Sequence, residues 1–542
     1  MKKDTFVKGA YIATICVFIA KILGIIYVIP FYSIIGEQGG ALYGYAYNIY
    51  SIFLAISTAG IPTAVSKLIS EYDAEKKIKE KNQVFSESLK ILTIISFLAF
   101  LVLIIFSKEI AFLIIGNATG GNSIEDISLV IKCISLAILI VPLLSVTRGL
   151  LQGHKYITPT SKSEIIEQFL RIGVLLIGSF IVIKLMNKSI TTGVAVSVLG
   201  AFVGALGAYF YLFYIIKKNK IIKKEKNKDK KINNEIRRKI IKYSIPLIIV
   251  SVVLAIYNFS DMVITLRVMT GILGIDTLTA ENTISLYTTW GEKFQRIIAA
   301  CATGVGISLI PNMVRAYVKK EYKSVENIII KALELVIFVG LPLTILISIF
   351  SSEVWSIFYG YNKEGITIIS YSIFIGLLSS LSTIGTTALQ AMNKFKNVYL
   401  SIIIGVVLNA LLDTPLILIF NFFGFNPCYG SITASVFGFG TTLLLSLYFI
   451  KKECKISYRG IFKTIKKMSV PILSLILISF GLKYIIGYNN FENRILTIII
   501  TGIYFSLSLT LYIVLTYKNK LLTDLFSEGR INKLLKRGDK NV

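Results

Sequence analysis

The sequence predicts an all-α polytopic membrane protein, and three observations predict it: composition, recurring long apolar runs, and the placement of positive charge. Of 542 residues, 54% are hydrophobic and only 16% charged, with a mean hydropathy of +0.73. A soluble domain carries nearer a quarter charged residues. About 20 consecutive apolar residues cross a bilayer core, and runs of that kind recur along the whole chain.

Fourteen such runs can be drawn, at 9–32, 42–68, 89–115, 127–151, 163–186, 192–216, 241–267, 282–314, 328–351, 366–392, 397–423, 430–450, 466–488 and 495–516. The first follows Met1, Lys2 and Lys3 closely and shows no small-residue cleavage site. It is therefore expected to be a retained helix, not a signal peptide. Its single fixed charge is Lys21, about 12 residues or roughly 18 Å from its start, too deep for easy snorkelling. An ammonium there costs about 2.5–3.5 kcal/mol on insertion scales. Two readings account for it: a cation lining a cavity, or a structural ion pair with an acid on another helix.

The net charge of +28 would suit nucleic acid if it gathered on one face of a soluble domain. Here Lys and Arg concentrate in alternate loops instead, most densely in KKNKIIKKEKNKDKKINNEIRRK over 217–239. That is the positive-inside bias, so both termini are expected in the cytoplasm. Anionic lipid headgroups are expected to take up the surplus charge, and no nucleic-acid partner is expected. The five cysteines are dispersed without CxxC spacing and His154 is the sole histidine, so neither a metal cluster nor a Ser-His-Asp arrangement is expected. Outer loops are too short to carry an enzyme's acid–base groups, and the chain is read as a non-enzyme acting as a monomer.

The two halves resemble each other. IPTAVSKLISEY (61–72) closes span 2 and IPNMVRAYVKKEY (310–322) closes span 8; GLLQGHKY (149–156) follows span 4 and TALQAMNKF (387–395) follows span 10. Two six-helix bundles repeated in parallel are a transporter design with the substrate site at their interface. The expected organisation is an N-lobe over 1–216, a basic cytoplasmic linker over 217–240, a C-lobe over 241–452, and two extra helices with a basic tail over 453–542. The linker reads as a solvated loop.

Several polar groups lie inside spans. In span 5, Glu167 and Arg171 are four apart, after Glu164. In span 7, Asn258, Asp261 and Thr265 fall on one helical face. Span 8 carries TWGEKFQRI, where Glu292 and Arg296 stand in the favourable i, i+4 order, which would leave Lys293 as the net charge. In span 11, Asn409 and Asp413 share a face, and Thr433 begins span 12. Carboxylates at such depth mark polar interiors or ion paths. Asp413 can equally cap the helix kinked at Pro415, and Asp261 can equally neutralise Lys21. Lys67 reads as a snorkelling end residue, and Tyr43, Tyr45, Tyr47 and Tyr50 read as part of an interfacial belt.

The stretches GGALYGYAYNIYSIFLAISTAGIPTAVSKLISEY (39–72) and GLLQGHKYITPTSKSEIIEQFLRI (149–172) resemble the polysaccharide-biosynthesis and stage V sporulation protein B group. That group falls within the multidrug/oligosaccharidyl-lipid/polysaccharide exporter superfamily, whose MurJ-like members are lipid II flippases. NALLDTPLILIFNFFGFNPCYGSITAS (409–435) resembles that superfamily's Asn-x-x-x-Asp, Gly, small-x-x-Thr pattern. The resemblance implies two six-helix lobes around a cavity that opens alternately to each side and carries an undecaprenyl-pyrophosphate-linked saccharide. It places substrate contacts at Lys21, Lys293 and Arg296, and at Tyr27, where many members have a second arginine. It also implies Na+ or H+ coupling and no other cofactor, with sodium held by Asp261, Asn409, Asp413 and Thr433. A cation-coupled multidrug or metabolite antiporter of the same superfamily is the alternative.

Overall fold

The computed structural model describes residues 22–58, 60–219, 221, 230–487 and 492–525, with Ile12, Cys16, Ile19 and Ala20. Lys21 lies outside the described residues, as does the middle of the basic linker, 222–229. Every regular element among the described residues is helical. Packing groups the chain into two compact units, Met1–Thr289 and Trp290–Val542.

The first unit opens with α1 (Val28–Thr58), which bends at Gly36. There φ is +65° and ψ −161°, a conformation that costs glycine little and other residues much. After it come α2 (Ile61–Ala74), α3 (Ile78–Ile105), the short α4 (Ser107–Ile115), α5 (Ile124–Gly153), α6 (Ile157–Gly173), α7 (Ile190–Lys218), α8 (Lys230–Arg267) and α9 (Thr277–Ile284). Pro62 sits in the first turn of α2, where its missing N–H would be unsatisfied anyway. Ser123 and Asp126 form a reciprocal capping box that starts α5. That helix is the hub of the unit, packing against α1, α2, α3, α4 and α7. Its inward face mixes Ile and Val with small residues such as Ser128, Ser135, Ala137 and Gly149, which let helices approach closely in a membrane.

The second unit contains α10 (Glu292–Val318), α11 (Tyr322–Ile349), the short α12 (Ser351–Tyr359), α13 (Lys363–Ala391), α14 (Phe395–Phe422) and α15 (Cys428–Cys454). The added helices α16 (Arg459–Ile486), α17 (Arg494–Lys518) and α18 (Leu521–Leu525) complete it. They bury Met468, Leu475, Tyr504, Tyr512, Leu521 and Leu525 against Phe338, Leu346 and Phe350 of the α11–α12 region. Lys483 of α16 donates to the Ile349 carbonyl at 2.7 Å and the Ser352 hydroxyl at 3.0 Å, 3.6 Å from the buried Glu353 carboxylate.

The internal repeat shows in the packing of each unit taken alone. The helix ending in IPTAVSKLISEY (α2) packs on the one ending in GLLQGHKY (α5), and α10 packs on α13 in the same way. A third correspondence, missed in the sequence, joins them. Helix α3 breaks at Phe106 into Ser107–Ile115 and stops at Gly116 (φ +67°); α11 breaks at Phe350 into Ser351–Tyr359 and stops at Gly360 (φ +80°). Helices α5 and α13 are each followed, two residues on, by a left-handed residue, Lys155 (φ 63°) and Asn393 (φ 60°). The lobes expected from the repeat divide the chain by likeness. Packing groups it differently because α8 lies against α1, α2 and α3.

Twelve of the described helices are long and apolar enough to cross a membrane, thirteen if the bent pair Thr277–Gly306 and Ser308–Val318 is one span. This count does not reach the expected fourteen. One run, Ile22–Asp73, counts once at 52 residues, about 78 Å at 1.5 Å per residue, against a core of about 30 Å.

The linker departs from the solvated loop that its composition suggested. Its second half is already α8, and Arg237 from that half binds Glu87 of α3. Glu87 is fully buried and also accepts from Lys90 at 2.7 Å and Gln83 at 3.1 Å. Lys239 reaches Glu235 at 2.9 Å and the Tyr72 hydroxyl at 3.3 Å.

Candidate functional site

In the second unit, α10 begins with a charged turn. Phe294 faces inward, packed edge-on against Phe358 at 5.1 Å and Tyr359 at 5.9 Å. That anchors the turn and leaves its other faces to Glu292, Lys293 and Arg296. Arg296 donates to both carboxylate oxygens of Glu292, at 2.9 and 3.1 Å. The expected i, i+4 pair is therefore present. Lys293 is half-buried, and no carboxylate lies within 4 Å of it among the described residues. Lys67, by contrast, rests over the Tyr243 ring at 4.0 Å with Glu71 at 3.9 Å, as an end residue would.

The sequence-predicted ion ligands fall in both units. Asp261 of α8, in the first, is buried and accepts a hydrogen bond from the Tyr287 hydroxyl at 3.1 Å. Thr265 is buried one turn further and donates to the Asp261 carbonyl at 2.7 Å. Asn258, expected on the same face, is exposed. In the second unit Asn409 and Asp413 on α14 are both fully buried, with Asn409 Nδ2 3.4 Å from Asp413 Oδ2. Thr433 of α15 is half-buried and donates to the Tyr429 carbonyl at 2.7 Å, with the Tyr371 hydroxyl also at 2.7 Å. Two buried hydroxyls flank it on that helix, Ser431 and Ser435, two residues to either side. Helices α14 and α15 pack closely. Among the described residues, no three His, Cys, Asp or Glu side chains converge as a metal centre.

The first unit holds a second charged assembly, which the sequence assigned wrongly. The i, i+4 spacing of Glu167 and Arg171 would suit a pair along α6. Instead Arg148, from the hub helix α5, donates Nη2 to Glu167 at 2.8 Å and Nε to Ser163 at 2.9 Å. Arg171 turns to Gln168, at 2.6 Å. A Cβ on Gly204 of α7 would stand 2.6 Å from the Glu167 carbonyl and 3.1 Å from Arg171 Cβ. Glu167 is a charged neighbour of Arg171, and Tyr47, Tyr27 and Tyr43 lie in the same region. These tyrosines are not a surface belt: Tyr27, Tyr43, Tyr45 and Tyr50 are buried. Tyr43 stacks on Tyr47 at 4.3 Å and Phe31 meets Tyr43 at 5.0 Å. Tyr27 extends the row, 6.2 Å from Phe31. The Arg148 contact could have been suspected from one arginine standing in the apolar run LLSVTRGLL, though its partner could not.

Tyr45 serves elsewhere. With Asn122 it surrounds the fully buried Glu281. That carboxylate accepts from the Asn122 backbone and side chain, each at 2.8 Å, and from the Tyr45 hydroxyl at 3.2 Å. Arg267 closes the end of α4 by donating to the carbonyls of Phe112, Leu113 and Ile114 at 2.6–3.2 Å.

Comparison with known proteins follows this geometry. A family model described as "Polysaccharide biosynthesis protein" matches residues 6–278. The lipid II flippase MurJ of Bacillus subtilis (strain 168) is 28% identical over 466 residues, covering 84% of each chain. Among solved structures, lipid II flippase MurJ in an inward closed conformation superposes with a TM-score of 0.64 at 16% identity. That match covers 92% of this chain and 98% of the other. An inward-facing multidrug resistance MATE family transporter of the MOP superfamily gives 0.65 at 14% identity, covering 82% and 98%. The fold is thus shared by proteins named for lipid flipping and for drug export.

Proposed function

This chain belongs to the polysaccharide biosynthesis protein family, and from that premise we propose that it is a flippase for an undecaprenyl-pyrophosphate-linked saccharide. The cargo that fits best is lipid II, moved from the inner to the outer leaflet of the cell membrane by alternating access, with both termini in the cytoplasm. The task is to carry a diphosphate and sugars across about 30 Å of hydrocarbon. Fixed cations offer it charge-assisted hydrogen bonds while the lipid tail remains among other tails.

One observation carries this reading. In span 8 the acid and arginine pair with each other, leaving Lys293 half-buried with no carboxylate within 4 Å among the described residues. A drug antiporter handling organic cations would present acids instead, whereas Asp261, Asn409 and Asp413 are buried. The similarity to a lipid II flippase over 84% of both chains supports this cargo class. Lys21 and Arg296 are further substrate contacts in this reading. Asp261, Asn409, Asp413 and Thr433 would provide oxygen ligands for a coupling sodium ion, or carboxylates for a proton. Bound sodium would supply the charge that links closure to the ion gradient.

Reconstituted vesicles test the proposal directly. Fluorescent lipid II placed in one leaflet should become accessible on the other, and Lys293→Ala should slow this at least tenfold. Ethidium transport with no lipid II translocation would instead assign the chain to the antiporter class.

A further inference from the structure

Two charged contacts at one end of the first unit belong to none of the sites above. Arg267, at the end of α8, is half-buried and donates Nε and Nη2 to the carbonyls of Phe112, Leu113 and Ile114, where α4 ends. A Cβ on Gly116 would collide with its guanidinium, so the glycine that stops α4 also makes room for the arginine. Glu281, on α9, is fully buried and grips the next stretch of the same connection. It accepts from the Asn122 backbone and side chain, each at 2.8 Å, and from Tyr45 of α1 at 3.2 Å. Asn122 also donates to the Gln38 carbonyl of α1 at 3.3 Å. The hairpin from Arg267 to Glu281 is therefore tied at both ends to the segment 112–122, between spans 3 and 4. By the charge bias this is the outer end of the spans.

The chemistry of these ties suits release. Each carries charge on one side only. A guanidinium meets carbonyls at a helix C-terminus, where the helix dipole favours a cation; a carboxylate meets an amide N–H, a side-chain amide and a phenol. Ion pairs of this unit lie elsewhere, at Arg148–Glu167 and Arg237–Glu87, and neither Arg267 nor Glu281 joins one among the described residues. Parting an ion pair strands two charges. Parting these ties strands one, at a membrane surface where water can take up the freed donors and acceptors. The backbone supplies joints as well. Helix α9 is only eight residues long and stands between two π-helical turns, Val268–Ile272 and Ser285–Gly291. Such turns interrupt the regular hydrogen-bond ladder and recur at functional sites. Gly274, with φ +66°, turns the chain between them.

We propose that Arg267 and Glu281 form the two halves of a latch that closes the outer end of the first unit. When both let go, the 267–284 hairpin swings away from the 112–122 segment on its π-helical joints. The two are positioning residues and touch no cargo. The latch goes beyond the flippase reading and rests on it only for what passes when the latch is open.

Hydrogen exchange on the full chain in nanodiscs tests this, because local opening sets the exchange rate of the amides it frees. The decisive readout is the cross-effect. Arg267 touches 112–114 and Glu281 touches Asn122, so two separate braces would each protect only their own stretch, whereas one latch protects both. Arg267→Gln and Glu281→Gln should each raise exchange about tenfold over 112–116 and over 117–123, the scale of one lost charged hydrogen bond. Exchange over the inner segment 150–157 should not change. Effects confined to each residue's own stretch overturn the latch, as does exchange equal to wild type in both variants. A rise that includes 150–157, with a lowered melting temperature, reduces both residues to general stability and also overturns it. Should Glu281→Gln fail to fold, Tyr45→Phe decides by removing one donor to the carboxylate; should Arg267→Gln fail, Arg267→Lys decides by keeping the charge and losing the fork. In either case unchanged exchange over both stretches overturns the proposal. Lipid II translocation by the same samples keeps the two claims apart. Coupled exchange with no translocation by wild type removes the flippase reading and retains the latch; coupled exchange with equal translocation by wild type and both variants removes the latch from the transport cycle.

Discussion

The Tyr287 hydroxyl donates to the Asp261 carboxylate at 3.1 Å, and both groups are buried in the first unit. A carboxylate out of water depends on such donors, because losing one leaves an unsatisfied charge that costs about 1–3 kcal/mol or more. Tyr287→Phe should therefore lower thermal stability in detergent. Sodium-dependent stabilisation should survive in Tyr287→Phe but vanish in Asp261→Asn if Asp261 is an ion ligand. The same sodium shift in wild type and Asp261→Asn would remove Asp261 from the ion site.

Asn409 and Asp413 offer a parallel test in the second unit. Both are fully buried on α14, so the near-isosteric Asp413→Asn changes charge without opening a cavity. Sodium should no longer raise the melting temperature of this variant, while the fold persists by circular dichroism. Thr433→Val should have a weaker effect, since the Thr433 hydroxyl is already shared between the Tyr429 carbonyl and Tyr371.

Span 8 separates stability from transport. The Arg296 side chain is 67% exposed in its pair with Glu292, and exposed i, i+4 pairs contribute only about 0.3–0.5 kcal/mol. Glu292→Gln should thus barely move the melting temperature. Lys293→Ala should cut translocation of lipid II at least tenfold at normal expression, with Arg296→Gln in between. An order with Arg296 far above Lys293 would reassign the principal cation.

Lys21→Ala should reduce translocation sharply while leaving the protein in the membrane. The alternative of a structural ion pair makes the opposite forecast: lowered stability or expression, with transport per folded molecule unchanged. Quantifying folded protein by size-exclusion fluorescence beside the transport rate tells them apart.

The linker's attachment yields a stability prediction. Glu87 is fully buried while its partner Arg237 is partly exposed. Removing one member of a buried pair costs about 3–5 kcal/mol when the other stays dry, and less here because Lys90 and Gln83 remain. Arg237→Ala should therefore raise hydrogen exchange at the start of α8 and speed protease cleavage within the linker. Unchanged exchange there would show that the contact does not hold the helix.

How far the sequence could be read depended on the range of each interaction. The helices follow from apolar run length, and the Glu292–Arg296 pair from spacing, because both are local. Glu167 failed as a local prediction: its partner Arg148 lies 19 residues away, on a different helix, and only packing of the helices makes that choice. Asn258 failed similarly, since periodicity places it with Asp261 but does not say how wide the covered stripe is. Tyr43, Tyr45 and Tyr50 were read as a belt because tyrosine tolerates both water and lipid edges; burial, of Tyr43 and Tyr50 beside Tyr47 and of Tyr45 against Glu281, is a tertiary fact. The Phe-Ser-x-Glu correspondence at Phe106 and Phe350 was present in the letters, yet it gained meaning only once both helices broke there.

The glycine at position 204 carries one more implication. With no side chain between them, the sixth and seventh helices cannot slide or roll past each other without steric collision. We expect that couple to travel as a single stiff plank in any rearrangement of the first unit, with the Arg171 guanidinium riding on it at a set height. Bulking up position 204, even to alanine, should jam the plank against its neighbours and slow turnover, while every charged group in the protein is still present.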